Sequence, residues 1–271
     1  MLFRSLKEKH NFILLNRQNV NLLDEKDIFS KLEDKKPDII IHTAIEGGRR
    51  NSNDNEGIVY KNLLMFENLL YFKNSVKFIL NIASGAEFDR SKDINLKTED
   101  EIFHCVPKDY YGLSKNIISQ KCLIYKNFYN LRIFGCFDEN ELDTRFIKNC
   151  ILKSIKNENI VIHGDKKMDF FYLKDLIKVI EYILLYNCAD FDINMSYEQK
   201  TKLSEIATNI VNLNKSKSKI VIENLNDLNY NGDFKKLMSL PIMLEGIENG
   251  IKKTIINITI HSLLYIKAKS V

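Results

Sequence analysis

The sequence predicts an α/β fold built on a parallel sheet, and two features of the chain support this prediction. Apolar segments of strand length alternate with longer segments of helical periodicity, and only 3 prolines and 10 glycines interrupt the 271 residues. Strands that are apolar along their whole length are typical of parallel sheets covered on both faces. Such sheets bind ligands at the carboxyl ends of their strands. The residues that follow each strand are therefore the candidate site residues.

The elements follow one another in a strand–helix rhythm as far as residue 137. The predicted strands are "NFILLNR", "PDIIIHTA", "VKFILNIAS" and "YNLRIFGCF". The predicted helices between them are "LLDEKDIFSKLEDKK", "GIVYKNLLMFENLLYFKN" and "YYGLSKNIISQKCLIYKNF", in which apolar residues recur on one face. Shorter elements follow, and they predict a smaller α/β lobe. We therefore divide the chain into a sheet domain (1–137), a second lobe with interleaved sheet elements (138–255) and an atypical tail (256–271).

The composition excludes several classes of protein. A hydrophobic content of 45% and a charged content of 28% are ordinary for a globular protein, and no apolar run is long enough to span a bilayer. The net charge is only +4 and the lysines are dispersed, which argues against a nucleic-acid partner. The histidines are scattered, so no metal site is expected. Five widely spaced cysteines without a CxxC motif favour free thiols in a reducing cytoplasm. They are Cys105, Cys122, Cys136, Cys150 and Cys188.

The stretch "KDYYGLSKN" places a tyrosine, Tyr111, four residues before Lys115. A free tyrosine has a pKa of about 10, too high for proton transfer near neutral pH. A lysine at i+4 on a helix lies beside it, and the positive charge favours the phenolate. The same spacing arises by chance in a lysine-rich chain, so a solvated lysine beside a partly exposed tyrosine stays open as the alternative. Ser84 ends a predicted strand and adds a hydroxyl that could bond the same substrate oxygen.

The order Ser84–Tyr111–Lys115 on a parallel α/β sheet resembles the extended short-chain dehydrogenase/reductase family. These proteins are NAD(P)-dependent epimerases, dehydratases and reductases of sugar nucleotides, and the chain is most similar to their GDP-fucose-synthase-like branch. Further matches are "ILLNRQNVNLLDEKDI", "PDIIIHTA", "YKNLLMFENLL", "HGDKKMDFFYLKDLIKVI" and "LEGIENGIKKTI". The similarity covers about residues 1–255. It implies a Rossmann-like, doubly wound sheet followed by a substrate-binding lobe.

The resemblance also implies a reaction and a set of site residues. The reaction is hydride transfer between NADP(H) and C4 of a nucleoside-diphosphate sugar, by a 4-keto reductase or an epimerase. Arg17 follows the second strand of the family, where a cation meets the 2′-phosphate, and this favours NADP over NAD, which stays open. A homodimer also stays open. The implied catalytic residues are Tyr111, Lys115 and Ser84; the cofactor-binding residues are Arg17, His42, Ala44, Asn62 and Lys115; the substrate-binding residues are Arg145, Gly135 and Tyr172.

The chain departs from the family pattern at several positions. Gly85 and Ala86 replace the acidic pair of the dehydratases, and Arg145 stands where the 3,5-epimerising relatives have a histidine. We find no counterpart of the family's first strand and glycine-rich phosphate turn, since the first glycine is Gly47. We therefore expect weak dinucleotide binding, and "FILLN" either detached from "IIIHT" or closed up against it. A catalytically impaired family member, or a non-catalytic binding protein, is the alternative function.

Overall fold

The computed structural model describes residues 6–48, 54–186 and 192–269, with side chains described as far as residue 260. In these ranges strands and helices alternate, as the sequence predicts. The strands are β1 (Ile39–His42), β2 (Phe78–Ser84), β3 (Ile94–Lys97), β4 (Phe128–Ile133), β5 (Cys136–Phe137), β6 (Ile160–Ile162), β7 (Phe171–Tyr172), β8 (Asp192–Met195), β9 (Ile220–Ile222) and β10 (Tyr230–Gly232). The helices are α1 (Glu25–Leu32), α2 (Gly57–Leu70), α3 (Tyr110–Cys122), α4 (Phe146–Ile155), α5 (Leu173–Tyr186), α6 (Leu203–Leu213), α7 (Lys235–Met238) and α8 (Gly246–Lys269).

The centre of the fold is a parallel sheet with the strand order β1–β2–β4–β8. Successive residues of β2 point to opposite faces, and each face is buried by a different hydrophobic cluster. Ile79 belongs to the cluster formed with α1, α2 and α3, whereas Leu80 belongs to the cluster formed with α4, α5, α6 and α8. Helices thus cover both faces of the sheet, and the predicted α/β class with a doubly wound parallel sheet is confirmed.

Two helices near the predicted site begin at aspartate caps. Asp24 accepts the backbone N–H of Lys26 at the start of α1, and Asp109 accepts the N–H of Gly112 at 2.7 Å at the start of α3. An aspartate at this position satisfies an N–H group that has no partner within the helix. The Asp109 cap therefore fixes the start of α3 at the next residue, Tyr110.

The segment at residues 11–16, predicted as a strand, is not a strand in the structure. Ile13 and Leu14 are 37% and 48% exposed, so the apolar run is not buried as that prediction required. Within the described ranges, β1 pairs with β2 alone, and residues 11–16 are detached from it. A strand needs a second strand to pair its backbone groups, and among the described residues no strand pairs with this segment.

The second lobe is built from short parallel pairs. β5 pairs with β7, β6 with β9, and β3 with β10. The last pair links the segment after β2 to the C-terminal part of the chain, with Ile94 opposite Tyr230. Helix α8 continues to Lys269 and so includes most of the residues predicted as an atypical tail. The boundary at residue 137 stays a prediction.

The composition also raised the questions of a membrane-spanning helix, of a metal site and of the state of the cysteines. In the described ranges, no helix has both the length and the apolar composition needed to cross a bilayer. The same ranges hold no group of three or more histidine, cysteine, aspartate or glutamate side chains placed to bind a metal ion. Cys105, Cys122, Cys136 and Cys150 are free thiols, and Cys188 lies outside the described residues.

Candidate active site

Ser84 is the last residue of β2 and is held on both its backbone and its side chain. Its hydroxyl accepts the N–H of Ala86 at 3.2 Å, and its own N–H donates to Glu87 Oε1 at 2.9 Å. These two bonds form a capping box for the single 3₁₀ turn Gly85–Phe88. The strand end and the turn together fix the Ser84 hydroxyl at the carboxyl edge of the sheet.

The turn after Ser84 rests on a buried ion pair. Glu87 Oε2 accepts Arg132 Nε–H at 2.7 Å, and both side chains are fully buried. Arg132 also lies 3.1 Å from Asp192 Oδ1 and donates to Asn194 Oδ1 at 3.1 Å. Buried charges are tolerated where their hydrogen bonds are satisfied, as they are here. The pair anchors the Ser84 turn to β4, and through Arg132 to β8.

Tyr111 reaches Ser84 because α3 approaches the turn closely. A Cβ atom on Gly112 would lie 2.6 Å from the carbonyl oxygen of Ala86, so only glycine permits this contact. Burial raises the pKa of Tyr111, and the nearby Ser84 hydroxyl acts in the opposite direction. The order of residues that suggested a catalytic serine and tyrosine therefore corresponds to two hydroxyls that lie near each other.

Two further residues face the Tyr111 ring. The Arg90 guanidinium carbon lies 5.8 Å from the ring centroid, and Arg90 is held by Asp109 through bonds of 2.7 and 3.3 Å. On another side, a Cβ atom on Gly48 would lie 2.6 Å from Tyr111 Cδ2. Gly48 also has φ of +74°, a conformation that side chains disfavour. The loop after β1 thus lies directly against the Tyr111 ring.

The largest effects on the pKa of Tyr111 come from groups other than Lys115, whose predicted effect stays a prediction. Burial raises the pKa of Tyr111, while Ser84 and Arg90 lower it and Glu87 raises it further. Lys115 instead donates Nζ–H to the carbonyl oxygen of Ile82 at 2.6 Å. Burial lowers the pKa of Lys115 to about 8. The cation that acts on the Tyr111 phenol is Arg90, which the sequence did not single out.

The residues predicted to bind the cofactor gather around the loop that follows β1. His42 is buried, and burial lowers its pKa to about 3, so it is neutral. Ala44 is half-buried in the loop itself. Arg17 is 77% exposed, donates to the Ile45 carbonyl at 3.3 Å and lies 3.1 Å from Glu46 Oε1. These residues lie near one another, but their predicted contacts with a cofactor stay predictions.

Asn62 connects this loop to α3. Its Oδ1 accepts the N–H of Glu46 at 2.8 Å, and its Nδ2 donates to the Glu46 carbonyl at 3.1 Å and to Ser114 Oγ at 2.9 Å. Ser114 in turn donates to the Tyr111 carbonyl at 2.8 Å. Asn62 therefore holds the loop against the helix that carries Tyr111. Its role in this structure is to shape the site.

The three residues predicted to bind substrate lie in different environments. Arg145 is exposed at the start of α4, with Nε 3.8 Å from Glu141 Oε2. Gly135 packs against the segment before β7, since a Cβ atom there would lie 2.8 Å from the Asp169 carbonyl oxygen. The Tyr172 side chain is fully buried in the core beside Phe137, with ring centroids 5.4 Å apart. Its predicted contact with a substrate stays a prediction.

The sequence reasoning missed three residues of the site: Arg90, Glu87 and Tyr230. The Tyr230 phenol also lies near Ser84, Arg90 and Tyr111, although its segment was interpreted as a polar loop. A signal for Glu87 was present, because Glu87 and Arg132 each interrupt an apolar run with an opposite charge. Arg90 and Tyr230 carried no comparable signal.

The side chains at this edge suit the nicotinamide end of a dinucleotide. A lysine ammonium has three N–H donors, and among the described contacts Lys115 uses one, on Ile82. The Tyr111 and Ser84 hydroxyls lie at the same edge of the sheet, where open α/β sheets bind their ligands. Lys115 and Tyr111 would hold the ribose of such a group, and Arg17 offers an exposed cation near the same loop.

Comparisons with known proteins agree with this assignment. Residues 2–193 match the model of the NAD dependent epimerase/dehydratase family. GDP-L-colitose synthase of Yersinia pseudotuberculosis is 24% identical over 208 residues, which cover 68% of this chain and 67% of that protein. The uncharacterized protein MJ1055 of Methanocaldococcus jannaschii is 24% identical over 206 residues. That match covers 69% of this chain but only 60% of MJ1055.

A solved structure shares the fold over nearly the whole chain. It is a GDP-mannoheptose C4 reductase from Campylobacter jejuni with NADP bound. It superposes with a TM-score of 0.80 at 18% identity, covering 95% of this chain and 93% of the reductase chain. At that identity the likeness establishes the fold, and the chemistry has to be argued from the residues of the site.

Proposed function

This chain belongs to the NAD-dependent epimerase/dehydratase family, and from that membership we propose that it uses NADP(H) to reduce or epimerise C4 of a nucleoside-diphosphate sugar. One observation carries the proposal: at the carboxyl edge of the parallel sheet, α3 packs so closely on the turn after Ser84 that the Tyr111 phenol lies near the Ser84 hydroxyl, with Arg90 over its ring. The names of two similar proteins, a GDP-L-colitose synthase and a GDP-mannoheptose C4 reductase, favour a GDP-sugar as substrate.

The site residues divide the chemistry between them. NADPH, when bound, supplies the hydride that reduces a C4 carbonyl. Tyr111 donates its phenol proton to the carbonyl oxygen, which becomes the C4 hydroxyl. Ser84 bonds the same oxygen and holds the carbonyl in line with Tyr111. Arg90, 5.8 Å from the Tyr111 ring, stabilises the phenolate that remains.

Arg17 and Lys115 bear on the choice of cofactor, and the cysteines bear on the cellular compartment. Arg17 is the exposed cation beside the loop after β1, and it favours the 2′-phosphate of NADP over the bare ribose of NAD. Lys115 contributes the N–H donors for the nicotinamide ribose. The free thiols suit a reducing cytoplasm, where we place the reaction.

A second candidate is a family member that binds its ligands without turning them over. The observation in its favour is that several site groups are already engaged. Lys115 is only 3% exposed and bonds Ile82, Arg17 pairs with Glu46, and Gly48 covers part of the Tyr111 ring. Under this candidate, ligands would stabilise the chain but no product would form.

The experiment combines binding with turnover. Thermal shift with NADPH, NADH and a panel of GDP-, UDP- and dTDP-sugars identifies the ligands. Consumption of NADPH with the matching 4-keto sugars measures reduction, and NMR of the unoxidised sugars detects inversion at C4. We expect Tyr111→Phe to lower turnover by about 100-fold or more, whereas Tyr110→Phe, the neighbouring hydroxyl on the same helix, stays near the parent.

The outcomes separate the candidates. Ligand stabilisation with turnover that depends on the Tyr111 hydroxyl supports the proposal. Stabilisation without any product favours the binding protein. Turnover that survives in Tyr111→Phe would assign the proton donor to another residue.

A further inference from the structure

Glu46 lies in the loop after β1, and its backbone is bonded through both of its polar groups. Its N–H donates to Asn62 Oδ1 at 2.8 Å, and its carbonyl accepts an N–H of Asn62 Nδ2 at 3.1 Å. Asn62 belongs to α2 and is only 1% exposed. The Glu46 side chain therefore starts from a fixed point, and a substitution of its carboxylate leaves both backbone bonds in place.

The Glu46 carboxylate is turned toward Arg17. Glu46 Oε1 lies 3.1 Å from Arg17 Nη2, and the same nitrogen donates to the Ile45 carbonyl at 3.3 Å. Arg17 thus contacts two consecutive residues of the loop after β1. A guanidinium has five N–H donors in a planar fork. Because both of these contacts use Nη2, the guanidinium keeps donors for a further anion.

The pair between Arg17 and Glu46 is open to solvent. The two side chains are 77% and 34% exposed, whereas those of Glu87 and Arg132 are fully buried. An ion pair exposed in this way contributes little to the stability of a fold. The loop is attached to α2 through Asn62 in any case. The charge of Glu46 therefore acts mainly on the anion that Arg17 binds.

We propose that Glu46 is a specificity-determining residue for the cofactor, which lowers the preference of the site for NADP(H) over NAD(H). A 2′-phosphate that pairs with Arg17 shares this cation with the Glu46 carboxylate and is repelled by the charge of the carboxylate. The ribose of NAD(H) carries a hydroxyl in place of that phosphate, and a carboxylate accepts a hydrogen bond from it. Arg17 and Glu46 thus act in opposite directions on the choice of cofactor. This inference rests on the proposed function for the cofactor, but not for the sugar or the reaction at C4.

The variant Glu46→Gln isolates the effect of the charge. Its amide keeps an oxygen that can accept an N–H of Arg17, while the negative charge is lost. A phosphate monoester carries between one and two negative charges at neutral pH. Removal of a carboxylate that competes for the same cation near the surface changes the affinity for such a group by about 10-fold. Salt weakens the effect, because exposed charges are screened.

The test compares two dinucleotides that differ only in the 2′-phosphate. Calorimetric titration of the full chain gives the dissociation constants of NADPH and NADH, and their ratio gives the preference for NADPH. We expect Glu46→Gln to raise this preference about 10-fold over the parent, mainly through tighter binding of NADPH. The gain should shrink at high salt.

The matched control is Asp38→Asn. It also removes one carboxylate from an exposed ion pair, 3.1 Å from Lys77, but it lies just before β1 at the amino edge of the sheet. Its preference for NADPH should stay within twofold of the parent. If Glu46→Gln does not fold, Glu46→Ala replaces it under the same criterion.

The outcomes distinguish failure of the inference from failure of the proposed function. A raised preference that salt reduces supports the inference, even if the parent reduces no sugar and the proposed reaction fails. The inference is overturned by a preference within twofold of the parent, by an equal rise in Asp38→Asn, or by a gain that high salt leaves unchanged. Turnover by the parent would leave the proposed function standing in these cases. If the parent and the variants bind neither dinucleotide, both the inference and the proposed function are rejected.

Discussion

Glu87 and Arg132 form an ion pair of 2.7 Å in which both side chains have no solvent exposure. The pair joins the turn that holds Ser84 to the carboxyl end of β4. A buried pair of this kind is not a source of stability in itself, because desolvation of the charges offsets their attraction. Removal of one partner is destabilising, since the other charge is then left buried without its counter-ion.

We predict that Glu87→Ala lowers the free energy of unfolding by about 3 kcal/mol or more. Arg132 would keep Asp192 but lose the carboxylate that bonds its Nε. The matched control is Lys77→Ala, which breaks a pair with Asp38 of 3.1 Å whose side chains are 72% and 76% exposed. An exposed pair contributes about 0–1 kcal/mol. Urea unfolding measures both variants, and similar losses from the two would contradict the prediction.

Asn62 leads to a second prediction, about the loop after β1. Asn62→Ala breaks two bonds to the Glu46 backbone and one to Ser114, and leaves the Glu46 groups without their partner. We expect a loss of about 2–4 kcal/mol in the free energy of unfolding. We also expect weaker binding of NADPH, because the loop beside Tyr111 loses its attachment to α3.

The same helix offers a control for Asn62. Asn68 is 5% exposed and donates to the Leu22 carbonyl at 2.9 Å, away from the loop after β1. Asn68→Ala should lower stability by less and leave the dissociation constant of NADPH unchanged. Calorimetric titration measures the binding. Equal effects of the two variants on NADPH binding would show that Asn62 has no particular role at the site.

The burial of His42 leads us to predict that the folded protein loses stability in acid. Burial lowers its pKa from 6.5 to about 3 in the folded protein. Above pH 6.5 the imidazole is neutral in both states and has no effect. As the pH falls from 6.5 toward 3, the unfolded chain takes up a proton that the folded chain cannot. The folded state then loses up to about 1.4 kcal/mol per pH unit.

The variant His42→Phe isolates this contribution. Its free energy of unfolding should fall less steeply between pH 6.5 and 4.5 than that of the parent, whatever its stability at pH 7. Urea unfolding at several pH values measures the difference in slope. Parallel curves would mean that His42 becomes charged within the folded protein.

The sequence predicted the sheet and the main hydroxyls of the site because both depend on local patterns. The apolar runs that became β1, β2 and β4 are continuous, and strand ends place Ser84 and His42 at one edge. An apolar run alone did not suffice at residues 11–16, because a strand also requires a partner. The burial of Tyr172 could not be predicted, because a motif gives an order of residues and not which side chains the core encloses.

The position of Tyr230 could not be predicted for a related reason. It depends on the pairing of β3 with β10, two short strands far apart in the chain, and on the fit of Phe134 between Gly85 and Gly232. No local periodicity reports such a contact. The pKa of Tyr111 likewise depends on burial, which raises it, and on Arg90, which lowers it.

The last prediction concerns the scope of the reaction. Proton removal at C3 or C5 of a 4-keto sugar requires a base, and the two positions directly after Ser84 supply none. Gly85 has no room for a side chain, because a Cβ atom there would lie 2.3 Å from the Phe134 ring, and Ala86 is buried. Arg145 carries a cation and lies beside Glu141. We therefore expect neither 4,6-dehydration nor 3,5-epimerisation.

The test incubates a 4-keto sugar nucleotide with the protein in deuterated water and follows C3 and C5 by NMR. We expect no more deuterium at these carbons than in a protein-free control, while reduction at C4 proceeds with NADPH. Glu141 is the residue to examine if the expectation fails, because burial raises its pKa to about 7, the range of a general base. Deuterium that enters with the parent and not with Glu141→Gln would contradict the prediction and assign the base to Glu141. Deuterium that enters with both the parent and Glu141→Gln would also contradict the prediction and would place the base at another residue.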